Sequence, residues 1–464
     1  MAKGLLQPVT WRSGTLVLFE SSLIVTAVIA STYMVIGPRA WDMVTRDSVL
    51  PKALLIAYIC QLCLYYEDLY DDPRLRADRK ELLARLVHAL GASALILSGL
   101  YFCLPALIIG RGVFAVAAVL VTAFVVGWRL TFAWFTRQIG PRERLLIVGT
   151  SAAGLDLARE LYKREDLGIE IVGFVNPDPA RVGEAVLNPG IIGTIEDIPA
   201  IVRARRVDRV VVDLADARGK LPMAKLLEMR LDGVAFEHLT SVYEEYTGKI
   251  AVGNLRPSWL IFSSGFRKTR SLTAFKRSID VILSGAGLVC SVPLLIVLAV
   301  VVKISSRGPA IYKQRRVGQH GRLFDVYKLR TMRCDAEAGT GAVWAQPRDA
   351  RVTRVGRFLR RTRLDELPQL WNVFIGNMSL IGPRPERPEF VSALTRDIPF
   401  YGQRHVVKPG LSGWAQVRYK YGASVADAME KLQYDLFYIK NMSIAVDLFI
   451  MFETIKTVVL HRGS

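Results

Sequence analysis

Apolar residues gather into four long runs near the N-terminus, about Thr15–Ile36, Ala53–Tyr66, Leu86–Ile109 and Val113–Phe135. Three reach the roughly 20 residues that cross about 30 Å of hydrocarbon, and the second does so only by extending back toward Val49. The pattern predicts four spanning helices. A signal peptide fits the first run poorly, because three more apolar runs follow and no small-residue cleavage site precedes a soluble domain. Beyond Phe135 the period changes. Strand-like runs at Leu145–Val148, Glu170–Val175 and Arg209–Leu214 alternate with helix-like spacers, the rhythm of a parallel sheet. A fifth apolar stretch, Ile279–Val302, has basic residues at both ends and Pro293 in its middle. Proline removes a helix hydrogen bond, so the economical expectation is a helix that enters the inner leaflet, bends at Pro293 and returns; the alternative is a kinked spanning helix.

Charge orients these elements. Lys3 and Arg12 precede the first run, Arg74, Arg76, Arg79, Lys80 and Arg85 follow the second, and Arg137, Arg142 and Arg144 follow the fourth, whereas only Arg111 separates the third from the fourth. The positive-inside rule therefore puts both termini of the four-helix unit in the cytoplasm. The 464 residues are 51% hydrophobic, with 61 Lys and Arg against 42 Asp and Glu and a mean hydropathy of +0.28, which excludes both a single soluble globule and a disordered chain. From Arg267 onward there are 32 Lys and Arg against 15 Asp and Glu, a net +17 that carries nearly all of the chain's +19. Basic excess beside an apolar segment favours an anionic membrane surface and phosphorylated substrates. No zinc-finger, helix-turn-helix or aromatic RNA-binding signature accompanies it, so no nucleic-acid partner is expected.

Other chemistry is weakly signalled. Cys60 and Cys63 form a C-x-x-C inside an apolar run without a second ligand pair, and the five histidines show no metal spacing and no Ser-His-Asp arrangement. After the first strand, Gly149-Thr-Ser-Ala-Ala-Gly154 approximates a dinucleotide fingerprint, but Ser151 occupies the middle glycine position, and the acidic Asp178 lies beyond Pro177. A Rossmann-like scaffold with a capped helix and no bound dinucleotide is expected; a nucleotide or sugar-nucleotide effector is the alternative.

The C-terminal blocks are more distinctive. Lys276-Arg277-x-x-Asp280, Arg315-Arg316-Val317-Gly318 and Phe324-Asp-Val-Tyr-Lys328-Leu-Arg330 precede Arg363-Leu-Asp365-Glu366-Leu-Pro368-Gln369-Leu-Trp-Asn372. Gly376-Asn-Met-Ser-Leu-Ile-Gly382-Pro-Arg384-Pro385 and Lys408-Pro-Gly410-Leu-Ser-Gly413-Trp414 follow. In order and spacing over about 190 residues these resemble the bacterial polyprenyl-phosphate glycosylphosphotransferases, in their long form with four membrane helices and a Rossmann-like domain. Tyr65-Tyr66-Glu67-Asp68-Leu69-Tyr70-Asp71 resembles the exosortase and exopolysaccharide branch. One departure is Val292 before the bending proline, where the family often has Ser.

The resemblance implies transfer of a hexose-1-phosphate from a UDP-sugar, glucose or galactose, to undecaprenyl phosphate at the bacterial inner membrane, with catalysis on the cytoplasmic face and release of UMP. It gives Asp365 as nucleophile and metal-proximal carboxylate, Glu366 as its partner supporting Mg²⁺ or handling a proton, and an aspartyl-phosphosugar intermediate. Arg315, Lys328, Arg330, Arg363 and Arg384 are the expected phosphate-binding cations, since guanidinium groups hold phosphate oxygens in pairs. Lys276, Arg277, Asp280 and Pro293 are expected to anchor and shape the re-entrant helix. Arg351, Arg354, Arg357, Arg360 and Arg361 form a basic helix face for anionic headgroups or the carrier phosphate, or a merely solvated one. The expected organisation is a membrane region at 1–140, an α/β domain at 141–255, a linker at 256–271 and a mainly helical catalytic unit at 272–464 with its re-entrant helix at 276–303. Membrane lipids, further copies of the chain and other polysaccharide-assembly proteins are the expected partners. The competing classes are a catalytically silent membrane scaffold that senses a nucleotide through the α/β domain, and an NAD-dependent sugar-modifying enzyme. The latter is disfavoured by Ser151 and by the lack of a Tyr-x-x-x-Lys pair in the middle domain.

Overall fold

The computed structural model describes residues 11–40, 49–67, 69–70, 79–110, 112–138, 143–163, 168–213, 223–255, 257–263, 265–266, 268–334, 336, 349–419, 422 and 424–459. Lys3, Asp68, Asp71, Arg74, Arg76, Arg111, Arg142 and Leu214 lie outside them. The chain divides into two compact units, 7–238 and 239–464.

The first unit opens with α1 (Trp11–Ile36), α2 (Val49–Tyr66), α3 (Arg79–Cys103) and α4 (Val113–Gln138), each long and apolar enough to cross a membrane. α2 begins at Val49, which gives it spanning length. α3 stops at Cys103, before the apolar run ends, because Pro105 starts a separate turn and Leu104 ahead of it leaves helical geometry (φ −130°, ψ 75°). Ile24, Ala27, Ala53, Leu86 and Val125 form the bundle core, while Leu18, Leu54, Leu95 and Val119 stay exposed on what would be the lipid face. Within this apolar core Arg129 of α4 pairs with Glu20 of α1 and donates to the Leu69 carbonyl at 2.6 Å, and the Tyr70 hydroxyl bonds Glu20. The Tyr-rich segment after α2 is thus tied to two helices by one ion pair.

The α/β domain follows with β1 (Glu143–Val148), α5 (Ala152–Tyr162), β2 (Ile169–Val175), β3 (Ile191–Gly193), α6 (Ile198–Arg205), β4 (Arg209–Val212), α7 (Met223–Leu231) and β5 (Ala235–His238). All pairings in this sheet are parallel, in the order β3-β2-β1-β4-β5, the arrangement that the continuous apolar strands require. Ser151 caps α5 by accepting from the Gly154 amide at 3.1 Å. Its neighbour Thr150 accepts from Asn176 Nδ2 at 2.8 Å and Arg181 Nη1 at 3.0 Å, and Asp178 caps its own turn through Ala180 N. The residues at the fingerprint are occupied with the loop itself.

The second unit contains α8 (Leu239–Thr247), α9 (Arg270–Ser305), the antiparallel pair β6 (Ile311–Val317) and β7 (Leu323–Leu329), α10 (Arg354–Thr362), α11 (Gln369–Ile375), β8 (Ser379–Ile381) parallel to β9 (Gly410–Ser412), α12 (Val425–Lys440) and α13 (Ile444–Val459). Its core takes in Ile250, Val252 and Leu255, which pack with Trp414, Leu432, Phe437 and Tyr438. The Trp414 indole donates to the Gly248 carbonyl at 2.7 Å, and Ile250 N to Gln433 O at 3.1 Å. Residues 248–255, grouped by their sequence pattern with the α/β domain, therefore attach to this unit, in whose core Ile250, Val252 and Leu255 are buried.

α9 runs unbroken through Pro293 for 36 residues, about 54 Å at 1.5 Å per residue. Its N-terminal third is anchored as the charged residues there suggest. Lys276 pairs with Asp447 at 2.6 Å, and Arg277 donates to the Val373 and Phe374 carbonyls at 2.7 and 2.6 Å, satisfying the C-terminal turn of α11. The buried Asp280 carboxylate accepts from Ser379 Oγ and Leu380 N at 3.1 and 2.9 Å. The other end packs Leu298 and Val302 on Leu329 and Leu359. Between these ends Ile282, Val289, Ile296 and Val297 are exposed.

Candidate active site

Three elements converge on one carboxylate dyad. α10 ends where Arg363 adopts a left-handed conformation (φ 57°), and the chain turns at once into the single 3-10 turn Leu364–Glu366. Pro368 then leads into α11. Asn372 of α11, fully buried, accepts from Tyr327 N at 3.1 Å and donates to the Asp325 carbonyl at 2.7 Å. An amide side chain thereby replaces the missing strand partner of β7 and fixes Lys328 opposite the dyad.

The two carboxylates receive different treatment. Glu366 accepts from Arg384 Nη2 at 2.5 Å and Lys328 Nζ at 3.2 Å, with Arg363 Nη1 at 3.9 Å. Burial acts to raise its pKa, but Arg384 and Lys328 prevail and hold the carboxyl well below the usual carboxylate range. Asp365 is 7% exposed and makes no ion pair or hydrogen bond among the described residues. Burial, then the adjacent Glu366 charge, pushes its pKa up to about 6. Burial likewise lowers the Lys328 pKa, against the pull of Glu366.

The phosphate-binding cations expected from sequence divide. Lys328, Arg363 and Arg384 come together around Glu366. Arg315 does not join them: it is exposed on β6, across from Asp325, whereas its neighbour Arg316 lies on the other face, donates to the Pro385 carbonyl at 3.0 Å and pairs with Glu386 at 3.6 Å. Strand alternation separates the two, and it is the signal that selects Arg316. Arg330 is also displaced from the expected role. It is buried and donates to Ser306 O at 2.7 Å and Ser306 Oγ at 3.0 Å, closing the C-terminal end of α9. The expected basic helix face splits: Arg351 lies ahead of α10, in the turn before its cap Thr353, and pairs with Asp349; on α10 itself Arg360 donates to Thr331 Oγ1, while Arg354, Arg357 and Arg361 are exposed. Sequence reasoning misses Asn372, although its helix position beside a charged dyad is the signal that could have found it.

Among the described residues no three His, Cys, Asp or Glu side chains converge as a metal cage. A dyad still fits Mg²⁺, which keeps its waters and takes one or two carboxylates plus substrate phosphate oxygens. Asp365 is the open donor, since Glu366 already meets three cations.

Comparison with known proteins places the chain in a family. Residues 271–461 match the family described as bacterial sugar transferase, and residues 66–220 match one described as CoA-binding domain. A UDP-glucose:undecaprenyl-phosphate glucose-1-phosphate transferase of Klebsiella pneumoniae is 33% identical over 336 residues, covering 70% of this chain and 69% of that protein. The chain belongs to the bacterial sugar transferase family. Another member, the UDP-N-acetylgalactosamine-undecaprenyl-phosphate N-acetylgalactosaminephosphotransferase of Aeromonas hydrophila, is 40% identical over 263 residues, 56% of this chain and 61% of that protein. The chain thus spans about six tenths of that relative's length. The exopolysaccharide production protein PSS of Rhizobium leguminosarum bv. phaseoli is 38% identical over 194 residues, 41% of this chain and 96% of that shorter protein.

Proposed function

We propose that the protein transfers a hexose-1-phosphate from a UDP-sugar to undecaprenyl phosphate, on the cytoplasmic face of the bacterial inner membrane, as the first membrane step in building an exopolysaccharide. The observation that carries this reading is the divided dyad: one carboxylate neutralised by three cations beside another that is buried and unpaired. In the first displacement an Asp365 oxygen attacks the sugar-bearing β-phosphorus of the UDP-sugar, the bond to the α-phosphate oxygen breaks, and UMP leaves. In the second, a phosphate oxygen of undecaprenyl phosphate attacks the same phosphorus and expels the Asp365 carboxylate, giving the lipid-linked diphosphosugar. A covalent carboxyl-phosphate splits a displacement between two anions into two easier steps. Arg384, Lys328 and Arg363 draw Glu366 out of competition for the incoming phosphate and leave donors aimed at its oxygens. Mg²⁺ held at Asp365, the carboxylate left open beside the cation-paired Glu366, would supply charge neutralisation on the diphosphate.

Two observations support a helix that returns to the cytoplasmic face. Both ends of α9 are held by one hydrogen-bonded body, because α11, which Arg277 caps, is bonded through Asn372 to β7, from which Leu329 and Arg330 hold the other end. Both flanks are basic, which disfavours sending either across.

The test is nucleotide release in nanodiscs with Mg²⁺, undecaprenyl phosphate and a panel of UDP-glucose, UDP-galactose and UDP-N-acetylgalactosamine. Lipid-dependent UMP release, lost in Asp365→Asn, is the expected result and names the donor. UDP release would mean ordinary glycosyl transfer; no release with any donor would favour the nucleotide-sensing scaffold.

A further inference from the structure

The side chain of Arg384 can meet Glu366 only if the turn that carries it is held still, and the sequence of that turn makes this difficult. Pro383 and Pro385 flank Arg384 and have no amide hydrogen to donate. The turn is fixed through its carbonyls instead. Pro383 O accepts from Gly410 N at 2.9 Å, Pro385 O from Arg316 Nη1 at 3.0 Å, and Glu386 O from Val317 N at 3.0 Å. The carbonyl of Arg384 itself is bound by Arg404, whose Nη2 lies 3.1 Å away.

Arg404 lies in the short 3-10 segment Tyr401–Val406, and only 5% of it is exposed. Its Nη2 also reaches Asp435 of α12 at 2.7 Å, and its Nη1 donates to the Tyr401 hydroxyl at 2.6 Å. Asp435 is buried as well. A buried ion pair is weak support for stability, because desolvating both charges offsets most of their attraction, and apolar residues of similar volume would serve the fold as well. What a buried guanidinium provides that an apolar side chain cannot is a rigid, planar set of donors held in place by charge. In this fold it hydrogen-bonds a neighbouring phenol and the backbone of the residue that contacts the dyad, and it pairs by charge with a helix carboxylate.

We propose that Arg404, braced by Asp435 and Tyr401, is a positioning residue that aims Arg384 at Glu366. This rests on the phosphosugar-transfer reading. Arg404 touches neither carboxylate of the dyad and acts through the Arg384 carbonyl. A displacement of about 1 Å in a group that binds transferring phosphate is enough to lower the rate on the order of a hundredfold.

The test uses full-length protein in nanodiscs and follows lipid-dependent UMP release for wild type, Arg404→Lys, Arg384→Lys and the double variant, with melting temperatures measured alongside. Arg404→Lys keeps the charge but not the fork, and should lower kcat roughly 10- to 100-fold with a smaller change in KM for the UDP-sugar. In the Arg384→Lys background the same change should cost less than about threefold, because the group it positions is already altered. Effects that multiply, or an unchanged kcat with a lowered melting temperature, would overturn the proposal and leave Arg404 a structural residue. If Arg404→Lys does not fold, Tyr401→Phe removes only the hydroxyl held by Nη1 and is judged by the same cycle. A wild type that releases no UMP would sink the transfer reading itself, separately from the role of Arg404.

Discussion

Asp365 and Glu366 are adjacent, of like charge and both largely buried, yet the fold treats them oppositely, and their amide variants should respond oppositely. A carboxyl whose folded pKa is raised to about 6 gives stability that is present below its unfolded value near 4 and lost as pH rises through 6. With metal chelated, Asp365→Asn should therefore melt with wild type near pH 4 and above it at pH 7.5, by about 2 kcal/mol, while losing all transfer. A melting temperature that falls on this substitution at pH 7.5 would mean that the fold favours the Asp365 carboxylate over its neutral acid. Glu366 has its pKa lowered by Arg384 and Lys328, so the charged form is the stabilising one. Glu366→Gln leaves those cations facing each other and should cost about 2–3 kcal/mol by thermal or chemical denaturation at pH 7.5, along with activity. At this scale the sequence was informative where motif and geometry coincide: Lys328, Arg363 and Arg384 do meet the dyad. It failed at Arg315 and Arg330, because a run of basic residues does not reveal which side of a strand faces inward or which guanidinium is taken up by backbone carbonyls.

Among elements, what the pattern revealed best were the long apolar helices, whose existence depends on composition alone; their ends depended on local chemistry. Pro105 decided where α3 stops. The anchoring of α9 was also legible, since Lys276, Arg277 and Asp280 stand at helical spacing ahead of an apolar run and each finds a partner in the C-terminal unit. The packing of α10 was not. Gly356 lies on its first turn, and a Cβ there would sit 2.0 Å from the Thr331 carbonyl oxygen, which also accepts from Thr353 N at 3.0 Å. The glycine allows α10 to lie on the strand exit and so sets where Arg363 begins the dyad turn. Gly356→Ala should force α10 away by overpacking, costing about 1–3 kcal/mol in stability and lowering UMP release even in the fraction that remains folded. A variant with wild-type melting and turnover would mean that α10 can shift without disturbing the dyad, so that the turn after Arg363 is positioned by α11 alone.

For the molecule as a whole, the choice between two topologies turns on α9, because its path decides on which side the net +12 of the residues after Ser305 (26 Lys and Arg against 14 Asp and Glu) lies. At 36 residues it is long enough to cross with some 16 residues beyond what about 30 Å of hydrocarbon needs. Length therefore favours neither path, and charge and attachment must decide. Crossing would carry the dyad with its surrounding cations to the far face, and it would separate Arg277 from Arg330, which hold opposite ends of the helix within one body. Returning leaves Val289, Ile296 and Val297 in the inner leaflet and both basic flanks in the cytoplasm. In a background with the five native cysteines replaced, single cysteines at Ser271 and Arg307 should both react with a membrane-impermeant maleimide in inverted vesicles, and neither should react in intact spheroplasts. Labelling of one position from each side would establish a spanning helix, and with it a dyad on the face away from cytoplasmic UDP-sugars, a placement at which the transfer chemistry would have no donor.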